Sequence, residues 1–88
     1  MDAIIIIMEP KNVVISMLLE EKRNKVASII QTARVQKGWT QQDLADRIGC
    51  QRQTILKIEQ SRYSPNCDIL YQLLEALDLT LKIGNEKV

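Results

Sequence analysis

The side chains that carry chemistry in this 88-residue sequence are twelve lysines and arginines, eleven carboxylates and two cysteines, with no histidine. Cys50 and Cys67 stand 17 positions apart with no CxxC pair. Two lone thiols without histidine make a poor structural zinc centre, so neither a metal nor a cofactor is expected. Acid–base or triad chemistry through an imidazole is excluded outright. Asp, Glu, Lys or Cys acting alone stays open in principle, yet no catalytic constellation of them stands out, and no enzyme is expected. Binding is the chemistry to look for. Arginine suits the O6/N7 edge of guanine and glutamine the N6/N7 edge of adenine, and Gln51-Arg52-Gln53 stands in a row with Lys57 one helical turn on.

Charge narrows the class of partner. The net charge of +1 is uneven: residues 1–23 carry −1, residues 24–64 carry +4, and residues 65–88 carry −2. A basic middle between acidic flanks is a usable footprint for a polyanion. It is equally the pattern of a solvated mixed surface, so charge alone does not choose.

These residues must be positioned by short elements. Residues 3–8 form an apolar, largely β-branched run closed by Pro10, which reads as a short strand, an ordered arm or an unstructured start. Six residues are far fewer than the roughly 20 of a membrane span. The run also lacks a basic leader and a small-residue cleavage site, so no secretory signal or membrane partner is expected, and the location is expected to be cytoplasmic. From Asn12, a candidate helix cap, to Lys37 there is no Gly or Pro. The polar stretch Glu20-Glu21-Lys22-Arg23-Asn24 could be helix surface or a break, which predicts two helices or one bent one. Gly38 stops the helix.

Thr40-Gln41-Gln42-Asp43 is a capping-box-like start, with a hydroxyl at the cap and a carboxylate three residues on. Leu44, Ala45 and Ile48 form the apolar face of that helix, and Gly49 ends it. A third helix over about 52–60 turns Ile55 and Ile58 inward. Residues 61–66 form a turn, and a fourth helix presents Ile69, Leu70, Leu73, Leu74 and Leu77 at spacings of three and four. Leu79-Thr80-Leu81-Lys82-Ile83 then alternates apolar and polar, the period of a strand.

For two brief helices to cross steeply, the first needs a small residue at the crossing, the turn needs a residue tolerant of positive φ, and the second needs aliphatic anchors. Ala45, Gly49, Ile55 and Ile58 meet these needs, which is the geometry of a helix-turn-helix. With Ile55 and Ile58 inward, the outer face of the third helix is Gln51, Arg52, Gln53, Leu56 and Lys57. At this point the segment from Thr40 to Gly49, followed by Thr54-Ile55-Leu56-Lys57-Ile58-Glu59, resembles the Xre/Cro-CI (lambda-repressor-like) DNA-binding domains over about residues 26–79. The resemblance implies an all-α fold of four to five helices with a short C-terminal β-strand. It divides the chain into an N-terminal extension (1–23), a helix-turn-helix domain (24–78) and a dimerisation strand with tail (79–88). Two departures stand out. Gln51 is a poorer cap than the family's Ser or Thr, at up to about 1 kcal/mol, and Ser61 stands where the family often has Gly.

The resemblance also assigns roles. Arg34 and Glu59 match an ion pair that clamps the helix before the motif onto the recognition helix. Arg52 and Gln53 are the base-reading candidates, with Gln51 beside them and Lys57 reading a base or holding a phosphate. Gln41 matches a phosphate contact at a helix amino end; Arg62 and Tyr63 in the following turn are further phosphate candidates, Tyr63 being equally a candidate for half-buried packing. Trp39, Cys50 and Cys67 are expected as packing residues, the cysteines buried or half-buried. Leu79, Leu81 and Ile83 resemble the strand that pairs across the dimer in antitoxins of the HipB kind, satisfying edge groups that a lone strand leaves bare. The function so implied is a homodimeric, sequence-specific transcriptional regulator, a repressor on a near-palindromic double-stranded operator, and the antitoxin of a toxin–antitoxin pair that regulates its own operon. The competing reading is an interaction adaptor that keeps the fold without binding DNA.

Overall fold

The computed structural model describes the backbone of residues 11–88 and the side chains from Ile15 onward. The strand or arm expected over residues 3–8 lies outside the described residues.

Helix α1, Lys11–Gln36, is a single element of 26 residues. The choice between two helices and one bent one resolves as one helix, because residues 20–23 are good helix formers, with Glu20, Glu21 and Lys22 exposed and Arg23 half-buried, and no Gly or Pro interrupts them. The helix crosses the boundary expected at residue 23 without a break. Its carboxyl end buries Ala27, Ile30, Ala33 and Arg34, whereas Ile15, Met17, Leu18 and Leu19 at the other end are exposed. Gly38, at φ 74°, turns the chain out of the helix. The Gly38 N–H donates to Val35 O at 2.9 Å and the Trp39 N–H to Arg34 O at 3.1 Å, which is the Schellman pattern of a glycine-terminated helix.

Helix α2, Gln41–Ile48, opens with the expected capping box: Asp43 N–H donates to Thr40 Oγ1 at 3.0 Å and Thr40 N–H to Asp43 Oδ2 at 2.8 Å. Gly49 closes it at φ 73°. Helix α3, Arg52–Glu59, follows after three residues, Gly49, Cys50 and Gln51, and its cap residue Gln51 makes no side-chain capping bond. Helix α4, Cys67–Ala76, is capped by Asn66, whose side chain accepts from Ile69 N–H at 2.9 Å. Leu44, Ala45, Ile55 and Leu73 are fully buried and form one core with Ile30, Ala33, Ile58 and Leu77, so α1, α2, α3 and α4 share a single apolar centre. A fully buried aliphatic side chain of this kind contributes about 1.5–3 kcal/mol. That centre is what holds the short α2 and α3, too brief to be stable alone, in fixed relation.

The C-terminal strand is shorter than its alternation suggests and already has a partner. β1, Lys82–Ile83, pairs antiparallel with β2, Glu86–Lys87, through a turn at Gly84, whose φ is 63°. Leu79 and Leu81 precede it, half-buried, with Leu79 packed on the core, and Ile83 is exposed. The expectation of a lone strand with bare edges is therefore corrected, because one edge of β1 is satisfied within the chain and only the other is left to pair. Among the described residues no helix is long and apolar enough to cross a membrane.

Candidate nucleic-acid interface

The α2–turn–α3 unit sets the interface. Gly49 supplies the left-handed turn, its N–H and that of Cys50 both return to the Ala45 carbonyl, and α3 then starts at Arg52. Ile55 and Ile58 anchor α3 inward, at 0% and 2% exposure. Helical periodicity carries Gln53 and Lys57 to the opposite side and Arg52 to the flank, and all three are exposed, as is Gln51. Among the described residues no hydrogen bond engages the side chains of Gln51, Arg52, Gln53 or Lys57, the Cys50 thiol reaching only the Gln51 backbone carbonyl at 3.5 Å. Their donors and acceptors are thus available to a ligand. Leu56 between them is half-buried.

Behind this face lies a polar network. Arg34 Nε donates to Glu59 Oε2 at 2.6 Å and Arg34 Nη2 to Glu59 Oε1 at 3.0 Å, a two-point ion pair joining α1 to the end of α3. The remaining guanidinium nitrogen, Nη1, donates to Trp39 O at 2.7 Å and fixes the chain entering α2. Gln41 Nε2 donates to Glu59 Oε1 at 3.1 Å, so the first residue of α2 joins the network as well. The glutamate side chain is 3% exposed and that of the arginine 11%. A charge pair this dry is costly to break from one side.

Arg62, exposed beyond α3, donates through Nη1 to Gln60 Oε1 at 3.1 Å, and its backbone N–H donates to Lys57 O at 2.8 Å. Tyr63 is exposed at the same turn. Cys50 is half-buried, where desolvation pushes its thiol pKa up. Cys67 departs from expectation, because it is exposed on the first turn of α4.

Two features escaped the sequence reading. Gln60, exposed at the end of α3, steers Arg62 through its side chain. The Trp39 ring is half-buried against the core but also lies under two cations, Arg47 Cζ at 3.8 Å and Lys37 Nζ at 5.3 Å from the ring centroid. No spacing rule could have found that contact, since Arg47 meets Trp39 only through the fold.

A helix-turn-helix family model (HTH_3, the Xre/Cro-CI type) matches residues 30–83, more than half of the chain. The chain belongs to that family. Within helix-turn-helix proteins it is similar to an uncharacterized HTH-type transcriptional regulator of Methanothermobacter thermautotrophicus, 40% identical over 50 residues that cover 57% of this chain and 72% of that protein. It is also similar to antitoxin HipB of Escherichia coli O6:H1, 29% identical over 63 residues covering 72% of this chain and 67% of HipB. Among solved structures, the restriction-modification controller protein C.Esp1396I, a tetramer in complex with its natural 35-base-pair operator, superposes with a TM-score of 0.61 at 30% identity, covering 65% of this chain and 75% of that one. The family match begins at Ile30, so the amino half of α1, with its exposed aliphatic residues, lies before the helix-turn-helix unit proper.

Proposed function

We propose that this helix-turn-helix protein is a sequence-specific, DNA-binding transcriptional regulator that represses by occluding a promoter, and that it is the antitoxin of a pair whose operon it controls. The observation that carries the reading is the face Gln51, Arg52, Gln53 and Lys57: exposed, with side chains that no hydrogen bond engages among the described residues, and projected by the second helix of a glycine-turned pair. Arg52 and Gln53 read base edges, and Lys57 reads a base or holds a phosphate. Gln41 and Arg62 hold the backbone on either side. The operator-bound controller protein and the antitoxin HipB among similar proteins support DNA and a toxin as partners. No catalytic step belongs to this reading, which places the protein on the nucleoid in the cytoplasm.

One module of this size reads few base pairs, so the protein acts as a two-fold dimer whose half-sites lie about 34 Å apart. Leu79, Leu81 and Ile83 line the dimer contact, with the free edge of β1 meeting its counterpart in the second copy. The organisation that follows is an extension over 1–23, the DNA-binding domain over 24–78 and the dimerising tail over 79–88.

Selection of bound duplexes from a random library tests the proposal. A regulator enriches a near-palindrome and loses affinity steeply with salt. A pool with no enriched sequence would instead favour an adaptor that keeps the fold alone. The antitoxin role is tested by co-expression with neighbouring genes. It fails if only free homodimer is recovered and no neighbour is toxic by itself.

A further inference from the structure

We infer that Glu59 is a positioning residue for DNA binding, which holds one N–H of the Gln41 carboxamide so that the other is aimed at a backbone phosphate. This rests on the reading of Gln41 as a phosphate contact. Glu59 itself cannot reach DNA, because its side chain is 3% exposed behind α2. Its two oxygens take three donors: Oε2 accepts from Arg34 Nε, and Oε1 accepts from both Arg34 Nη2 and Gln41 Nε2.

The chemistry of that third bond fixes an orientation. A carboxylate only accepts, so the end of the Gln41 side chain that faces it must be the NH2 group, and an amide NH2 has a second N–H to give. Without Glu59 either end of the carboxamide could face a phosphate, and the carbonyl end would be repelled. With Glu59 the donor end is set before DNA arrives, and the rotamer freedom that an exposed glutamine would lose on binding is already gone. Arg34 matters here in a second way. It matches the glutamate charge at both oxygens, so the anchor adds no uncompensated negative charge beside an incoming phosphate. Arg34 Nη1 on the Trp39 carbonyl holds the backbone just ahead of α2, so the same group of side chains positions both the helix start and its first side chain.

The test compares binding to a library-selected duplex and to an unselected duplex of the same length. Gln41→Ala weakens both about tenfold alike, as loss of a hydrogen bond to a charged group does. Replacing the pair by apolar residues, Arg34→Met with Glu59→Leu, leaves no lone buried charge and removes the anchor. It is expected to weaken both duplexes to the same extent, and Gln41→Ala added to it costs nothing more. Arg34→Met with Glu59→Gln returns an acceptor oxygen that can hold the Gln41 NH2, beside an amide NH2 that cannot, and is expected to recover part of the lost affinity, which a merely structural clamp would not do. Wild-type affinity in the folded Arg34→Met/Glu59→Leu variant, beside a weakened Gln41→Ala, overturns the inference and leaves the phosphate contact standing. A Gln41→Ala variant that binds both duplexes like wild type overturns the phosphate contact, and the inference with it. Should the apolar pair fail to fold, nitrogen relaxation of the Gln41 side-chain NH2 in the free wild-type protein decides: backbone-like order supports the inference, and free averaging overturns it.

Discussion

The Cys50 N–H donates to the carbonyl oxygen of Ala45 at 3.0 Å, across a glycine at φ 73°. That bond joins the residue at the α2–α3 crossing to the residue that leads into α3, so the direction of the recognition face depends on one left-handed peptide. A Cβ built on Gly49 would meet nothing within 4 Å. Gly49→Ala is therefore expected to cost only the conformational penalty, about 1–2 kcal/mol. Urea unfolding should show a lower midpoint with an unchanged slope. A much larger loss would mean that packing, and not backbone conformation, selects glycine here.

Ser61 makes the opposite prediction. It holds φ 61° one residue beyond the Gln60 cap that ends α3's last turn, a region that a side chain other than glycine enters at a cost. Ser61→Gly should relieve that strain, offset in part by the greater freedom of glycine in the unfolded chain. The net expectation is a stabilisation of up to about 1 kcal/mol, read as a rise in thermal midpoint at unchanged DNA affinity.

Asp43 gives the acid limb of stability a specific contributor. The Thr40 backbone N–H and then the Thr40 hydroxyl hold its carboxyl below the ordinary aspartate value, with a lesser contribution from the charge of Arg47, while desolvation opposes them. A carboxyl lowered in the folded state stabilises the protein above its unfolded value near 4, and that contribution disappears as pH falls through the lower folded value. Asp43→Asn should therefore flatten the decline of stability below about pH 4 relative to wild type. Denaturant midpoints measured between neutral and strongly acid pH check this. Curves that stay parallel would remove Asp43 from the account.

Base reading and phosphate holding separate by their sequence dependence. Arg52→Ala should relax one base position, at about 1–3 kcal/mol, and leave affinity for the duplex already substituted there almost unchanged. Lys57→Ala, if the lysine holds phosphate, should weaken all duplexes evenly and lower the salt slope by about one. Binding measured on a set of single-base operator variants at several salt concentrations distinguishes them. Even losses for Arg52→Ala across the whole set would mean that its guanidinium does not touch a base.

Local rules made the motif legible. Thr40 with Asp43, Gly49 and the pair Ile55 and Ile58 each carry a conformational preference that the tertiary fold does not override, and the observed caps and turn follow them. The exposed face of α3 follows in turn from which side Ile55 and Ile58 bury. The C-terminal region was less legible because alternation in residues 79–83 announces a strand but not its partner. Gly84, followed by Glu86 and Lys87, turns the chain back onto itself, and a two-residue ladder leaves no periodic trace. The tie between Gln41 and Glu59 was invisible for a related reason: the residues are 18 apart, and only the crossing of α2 and α3 brings an amide onto an oxygen already shared with Arg34.

Trp39 is the sole tryptophan of the chain, and its carbonyl and its ring belong to different partners: the carbonyl to Arg34, the ring to Arg47 and Lys37. The indole sits at the hinge between α1 and α2, half-buried beside charges whose positions depend on the fold. The protein thus contains its own optical gauge. Excited at the red edge, where Tyr63 and Tyr71 do not absorb, intrinsic fluorescence follows this one junction without an attached dye, and any event that loosens Arg34 or swings Arg47 changes its emission.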